Sequence, residues 1–508
     1  MRRRTILYLC CICLAPGCGQ NVYSPPANAL FTQLTAKSSG IDFRNDVTDD
    51  SLSNEAAYRN FYNGGGVAIG DINNDGLPDI YMTANQGKNK LFLNKGNFRF
   101  EDITDKAGII KEQKWSTGVT MADVNGDGFL DIYVSAAGNT RNDPRKNALY
   151  INQGNLTFKE EADRFHLADA GSYHTQAAFF DYDMDGDLDA FLLTNDCSVP
   201  TSSFPDASFR NQFRTKGGDK LLRNDDGIFT DVSEMAGIFG SKIGFGLGIT
   251  IGDLNGDRWP DIYISNDFFE KDYLYINQRN GAFKELSDSC IGHMSQSSMG
   301  ADIADINNDG LMDIFSTDML PEDDYRLKKN TRFDDYDIYG LRYKSGYHHQ
   351  LLNNMLHLNN GDESFSEISQ YAGVNATDWS WGALVFDLNN DGWKDILVCN
   401  GMYLDVTDND YIDFVADENK HVFFKTSANV SDYEMLKRQP VSMPVPNYAF
   451  INRHNLTFEN QSAKLGLGQP GFSNGAAYAD LDNDGDLDLV INNLNSSCFV
   501  YRNNISEK

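Results

Sequence analysis

Seven times along its length this chain repeats one nine-residue pattern: Asp at positions one, five and nine, with Asn or Asp at position three. Position six is Gly in six copies and Arg258 in the fourth. The copies begin at Asp71, Asp123, Asp181, Asp253, Asp305, Asp387 and Asp480, so successive starts lie 52, 58, 72, 52, 82 and 93 residues apart. A recurring minimum with variable excess is one structural unit carrying inserted loops. Such repetition overrides the prior of about three domains that the length alone would set.

The flanks repeat as well. Before each acidic loop comes a charge-poor run of small residues, such as Gly66-Val-Ala-Ile-Gly70 and Gly475-Ala-Ala-Tyr-Ala479. After it comes a β-prone run such as Ile80-Tyr-Met or Ile262-Tyr-Ile, and then a second signature, Leu91-Phe-Leu-Asn94 or Leu274-Tyr-Ile-Asn277. A third follows, Phe100 to Gly108, echoed at Phe229 to Gly237 and Phe365 to Gly373. Short apolar runs between turn residues read as strands. Each unit is therefore four strands, A to D, with the acidic loop between A and B. Strands A, B and C each occur seven times, but D follows C only six times. The seventh D is at the other end of the chain, from Phe31 to Phe43. That permutation predicts an all-β fold: a seven-bladed β-propeller of four-stranded antiparallel blades, its ring closed by the N-terminal strand. The propeller is expected to span residues 29–508.

Alternating carboxylates around a tight turn are what a hard cation needs, and an all-oxygen set argues against zinc and copper. Side chains at one, three, five and nine with the carbonyl of seven would surround Ca²⁺, one ion in each of up to seven loops. The ligands expected are Asp71, Asn73, Asp75, Leu77 and Asp79; Asp123, Asn125, Asp127, Phe129 and Asp131; Asp181, Asp183, Asp185, Asp187 and Asp189; Asp253, Asn255, Asp257, Trp259 and Asp261; Asp305, Asn307, Asp309, Leu311 and Asp313; Asp387, Asn389, Asp391, Trp393 and Asp395; and Asp480, Asp482, Asp484, Asp486 and Asp488. An EF-hand is excluded, because it requires Glu at position twelve. Here that position holds Met82, Val134, Leu192, Ile264, Ser316, Val398 and Ile491. The fourth site is expected to be weakest, since Arg258 puts a side chain and a charge where the turn favours Gly.

These loops resemble the FG-GAP repeats of integrin α-subunit propellers and related VCBS-type repeats. The runs Asn63-Gly-Gly-Gly-Val-Ala and Ala376 to Gly382 are similar to the bacterial cartilage-acidic-protein (ASPIC/UnbV) lineage. The resemblance implies a calcium-bearing propeller and is silent on its partner. That lineage often carries a further C-terminal module, which is not expected after the last strand C.

The N-terminus is read as a targeting signal. Arg2, Arg3 and Arg4 precede a short apolar run ending at Leu14-Ala15-Pro16-Gly17-Cys18, which resembles a bacterial lipoprotein signal. Residues 1–17 are expected to be removed, Cys18 to be lipidated, and residues 18–28 to form a tether. The mature chain would then be secreted across the inner membrane and held in the cell envelope, at the outer membrane. The formal charge of −30, or −33 without the three signal arginines, excludes nucleic acid as a bulk electrostatic partner. Cys197, Cys290, Cys399 and Cys498 show no CxxC spacing and are read as buried thiols, with one disulfide open.

No HExxH or P-loop is present. The function expected is a non-catalytic binding or scaffold propeller recognising a protein or glycan; the alternative is a polysaccharide-active lyase or hydrolase. Insertions at about 194–219, 317–350 and 401–447 all follow strand B, so they rise on the face opposite the acidic loops. Long loops on a rigid scaffold carry binding residues. Trp115, Trp379, Trp381, Tyr339, Tyr343, Tyr347 and His348 are the residues expected on that ligand face, while His174, His293 and His349 are also placed near surface loops.

Overall fold

The computed structural model describes residues 23–55, 57–109, 115–138, 145–197, 207–212, 217–416 and 443–506. The signal segment and Cys18 lie outside them. Seven four-stranded antiparallel sheets are present, each in the order A-B-C-D. In blade one the strands are Val67–Gly70, Asp79–Met82, Lys90–Asn94 and Phe100–Asp102. Blade seven is made from Ser473–Ala479, Asp488–Asn493, Phe499–Asn503 and the N-terminal Phe31–Gln33. Its closing register pairs Phe31 with Asn503 and Gln33 with Tyr501.

Strand B is central in every blade and buried throughout, as in Asp131–Ala136 and Asp395–Asn400. This is why its sequence reads as an unbroken apolar run. The apolar cores lie between blades, and one separates each neighbouring pair around the ring. Blades six and seven, for example, share Leu397, Cys399, Leu489 and Tyr501. Blades seven and one share Val490, Val500, Ile80 and Phe92, with Ile41 and Phe43 added from the N-terminal segment. Seven such interfaces make a closed ring. Among the described residues all four cysteines are free thiols, three of them buried.

The charge-poor run before each loop is strand A, and it faces the central channel. Five residues before the loop stand Gly66, Gly118, Gly248, Gly300, Gly382 and Gly475, with Gln176 in blade three. Here the inner strands nearly touch: a Cβ on Gly300 would stand 2.5 Å from the Trp381 carbonyl oxygen, and one on Gly475 2.5 Å from that of Gly65. Glycine is thus what lets seven blades converge. They leave a cavity of about 240 Å³ on the axis.

Strand D is shorter than its signature. Phe100–Asp102 is followed by a helical turn, because the Asp102 carboxylate accepts from both the backbone N–H and the hydroxyl of Thr104 and ends the strand. Equivalent one-turn helices, such as Ser369–Ala372 and Ala36–Ser39, stop at a left-handed glycine, Gly373 or Gly40.

Strand C carries a tie between blades. The side-chain amide of its Asn donates to the carbonyl of loop position two in the preceding blade: Asn94 to Leu481 (2.8 Å), Asn152 to Ile72 (2.7 Å), Asn277 to Tyr182 (2.8 Å), Asn359 to Leu254 (2.8 Å), Asn452 to Ile306 (2.8 Å) and Asn503 to Leu388 (3.1 Å). Only Asn224 of blade three stays within its own blade, at the Leu188 carbonyl.

Two expectations follow. Phe31→Ala should cost about 3–5 kcal/mol in denaturant unfolding, and removal of residues 29–47 should expose the edge of Phe499–Asn503 and give concentration-dependent association by light scattering. A truncated chain that stays monomeric and melts like the parent would contradict closure by the terminus. Asn152→Ala should destabilise by about 1–3 kcal/mol by leaving buried carbonyls without a donor. Asn224→Ala, which breaks no tie between blades, is the comparison; equal losses would show that the tie contributes nothing.

Candidate metal centres and the opposite face

All seven acidic loops have one backbone conformation, and it is built by their own carboxylates. The position-one Asp accepts from the N–H groups of positions five and six, as in Asp71 from Asp75 (3.2 Å) and Gly76 (2.7 Å). The position-five Asp accepts from the N–H of position seven, as in Asp75 from Leu77 (2.9 Å). The position-nine Asp is the most buried. Its two oxygens accept from the N–H of position two and from the N–H of the strand-C Asn, as in Asp79 from Ile72 (3.0 Å) and Asn94 (2.7 Å). The same pair of bonds recurs at Asp131, Asp189, Asp261, Asp313, Asp395 and Asp488. These carboxylates are at most 1% exposed. Burial, reinforced by the other carboxylates of the loop, pushes Asp79, Asp131, Asp189, Asp261 and Asp395 up to about 7, Asp313 to about 6 and Asp488 to about 8.

The loops differ at position three. In five of them it is Asn, whose amide donates to the position-five carboxylate, as Asn73 does to Asp75 (3.0 Å) and Asn307 to Asp309 (2.9 Å). In blades three and seven it is Asp, which cannot donate. There the oxygens of Asp181, Asp183 and Asp189, and of Asp480, Asp482 and Asp488, lie within 4.8 Å of one another. Asp183, Asp187, Asp482 and Asp486 each hold a buried Oδ1 that accepts no hydrogen bond. Burial and the neighbouring carboxylates raise the first three, Asp187 and Asp482 to about 6, while at Asp486 the Ser506 backbone partly offsets burial. Buried acceptors left without donors among converging carboxylates fit a cation bound by oxygen.

Turn positions four and six are both left-handed. Position four has φ of 57° at Asn74 and 60° at Met184; position six has 84° at Gly76 and 70° at Arg258. The strain expected at Arg258 is therefore present. A second cation was not visible in the loop itself. Arg279, two residues beyond strand C, forms an ion pair with Asp257 at 2.7 Å. Gly96, Gly154 and Gly361 stand at that place in blades one, two and five.

On the opposite face the insertions are tied to one another. Arg326, in the helix Asp324–Asn330, is clamped between Asp378 and Asp405, and Lys329 pairs with Asp408 at 3.0 Å. Arg210 pairs with Glu270 and lies over the Tyr347 ring. Beneath them the segment leading into blade one plugs the channel. Phe61 and Tyr58 pack on Trp115, with ring centroids 5.0 and 5.5 Å away.

This plug corrects part of the expected ligand face. Trp115 is 1% exposed, Trp381 7% and Tyr347 0%, so none presents its ring to a partner. Trp381 donates its indole N–H to the Gly401 carbonyl at 2.9 Å. Trp379, Tyr339 and His348 are half-buried, and Tyr343 is half exposed and stacked on His349 at 4.0 Å. His174, expected near the surface, is fully buried with its ring 3.0 Å from Asp169. In and before the helix Tyr336–Lys344 of the middle insertion, Tyr325, Phe333, Tyr336 and Leu341 are each more than half exposed.

Compared with known proteins, residues 71–134, 253–316 and 335–398 match the model of the FG-GAP-like repeat. Cartilage acidic protein 1 of Xenopus tropicalis is 36% identical over 219 residues, 42% of this chain and 31% of that protein. The mouse protein of the same name is 29% identical over 216 residues, 42% of this chain and 30% of its own length. Mouse integrin alpha-3 is 31% identical over 107 residues, 18% of this chain and 10% of that protein. The chain thus spans about a third of the length of the cartilage acidic proteins it matches. Three segments of the seven-bladed ring thus match the FG-GAP-like repeat, and the chain is similar to cartilage acidic protein 1 and, over a shorter stretch, to integrin alpha-3.

Proposed function

We propose that this chain is a calcium-stabilised binding or scaffold propeller, non-catalytic, that holds a protein or glycan on the face opposite its acidic loops. One observation carries the calcium reading. Asp183, Asp187, Asp482 and Asp486 keep buried oxygens without donors inside clusters whose other oxygens already shape the loop. Calcium would supply the positive charge those clusters lack, held by side chains at one, three, five and nine and the carbonyl of seven. Asn at three already satisfies part of its loop through position five, so loops three and seven gain most from the ion. Loop four gains least, because Arg279 partly neutralises Asp257 and Arg258 sits at the turn. The binding role rests on the rigid, cross-tied insertions, which hold Tyr339, Tyr343 and His348, and on Trp379 just before strand A of blade six. We place the protein in the cell envelope, anchored at the outer membrane through lipid on Cys18.

Metal analysis after exhaustive dialysis should find about four or more calcium ions per chain, and chelator should lower the melting temperature sharply. Fewer ions would defeat the calcium reading. Arg258→Gly should strengthen binding at loop four by about tenfold, since about 1 kcal/mol of left-handed strain and a local positive charge are both removed; an unchanged isotherm would show that loop four is not an ion site. Cys18→Ser should release the protein from membranes or block its processing. Unchanged fractionation, with no lipid by mass spectrometry, would refute the anchor.

A further inference from the structure

The acidic loops are joined to one another, and not all around the ring. The amide of Asn308 in loop five donates to the Gly392 carbonyl of loop six at 3.2 Å, and Asn390 of loop six donates to Gly485 of loop seven at 3.1 Å. Asn483 of loop seven donates to Gly76 of loop one at 2.8 Å, and Asn74 of loop one to Gly128 of loop two at 2.9 Å. Donor and acceptor are the same positions each time: the side chain of residue four and the carbonyl of residue six in the next blade. Loops two, three and four carry Gly126, Met184 and Gly256 at position four and have no amide to offer. The links therefore form one uninterrupted run, five to six to seven to one to two, that crosses the junction between the chain termini.

We propose that these five loops take up calcium as one coupled run, with loops three and four binding independently of it. The inference rests on the calcium reading above. Residue four lies between the ligands at three and five, held left-handed with φ of 54–60° in the four Asn cases. The acceptor peptide joins positions six and seven, and position seven supplies the carbonyl expected to face the ion. Its N–H is already held by the position-five carboxylate, as in Phe129 to Asp127 at 2.9 Å. A loop that closes on an ion fixes its own residue four, and the Asn then fixes the turn of the next loop before that loop binds. The second ion orders less chain, so its affinity rises; by linkage the first gains equally.

Asn483→Gly tests this cleanly. Glycine keeps the left-handed backbone, as Gly126 and Gly256 do natively, and deletes only the amide. Calcium is titrated calorimetrically into the chelator-stripped full-length chain, with bound ions counted by metal analysis. The parent should show a steep phase with a Hill slope above one. In Asn483→Gly the total number of ions should hold while affinity within that phase falls about fivefold and its slope drops. Asn308→Gly, at the start of the run, should lower the slope less, and serves if the first variant folds poorly. Gly126→Asn should extend the run into loop three and raise the slope. Isotherms that superimpose on the parent while calcium still binds, or a parent that binds calcium without steepness, would overturn the coupling alone. A parent that binds no calcium would overturn the calcium reading itself.

Discussion

Everything in this ring hangs on a buried carboxylate, the Asp at position nine. It is the first residue of strand B and the last of the acidic loop, and it bonds to two backbone N–H groups at once: one at the start of the loop, one at strand C. Loop shape, the A–B hairpin and the B–C pairing are thereby set by one side chain. Isolating a carboxylate from water costs several kcal/mol, and hydrogen bonds to a charged group return about 1.5–3 kcal/mol each. The upward shift of Asp79 to about 7 says that two such bonds do not fully compensate beside neighbouring negative charge. The proposed cation is the missing compensation, and it would act at the point where the loop, the sheet and the neighbouring blade meet.

The blade is reached from that point by the strand-C Asn. Its N–H holds the position-nine carboxylate while its amide reaches back to the preceding loop. A loop is therefore tied through its own Asp to its own strand C, and through its position-two carbonyl to the next blade's strand C. Loop geometry and blade stacking are one problem in this fold, which is why the proposed ion sites, though in surface turns, would bear on the stability of the whole ring.

Much of this was legible in the sequence. The acidic pattern placed the A–B turns, and the odd position of one D strand predicted closure of blade seven by residues near Phe31, as the pairing with Phe499–Asn503 bears out. What was not legible depends on partners far along the chain. The strand-C Asn was visible as a signature, but its acceptor lies 80 residues away for Asn152 and 387 for Asn94. Trp115 and Trp381 were expected on the ligand face, yet spacing along the chain cannot say what covers a ring. The cover comes from the segment containing Tyr58 and Phe61, which the repeat pattern does not describe. Tyr347 is covered in the same way, by Arg210 from another insertion.

The ring is also less symmetric than its repeat. In blade three Gln176 replaces the channel glycine, Asn224 makes no tie to blade two, and Met184 offers no amide to loop four. In blade four Gly256 offers none either, Arg258 strains the turn, and Arg279 occupies Asp257. Each departure alone is a local substitution; together they fall in one arc. The opposite arc, blades five to two, keeps every tie and contains the junction where Phe31–Gln33 meets Phe499–Asn503 without a covalent link between the two ends. That junction is held by non-covalent contacts alone, so its closure must offset the entropy of bringing distant ends together. Blades five and six, six and seven, and one and two are joined by continuous chain and are linked all the same. What distinguishes the linked arc is that its loop-to-loop bonds run unbroken past the one place where the ring could open, through Asn483 and Gly76.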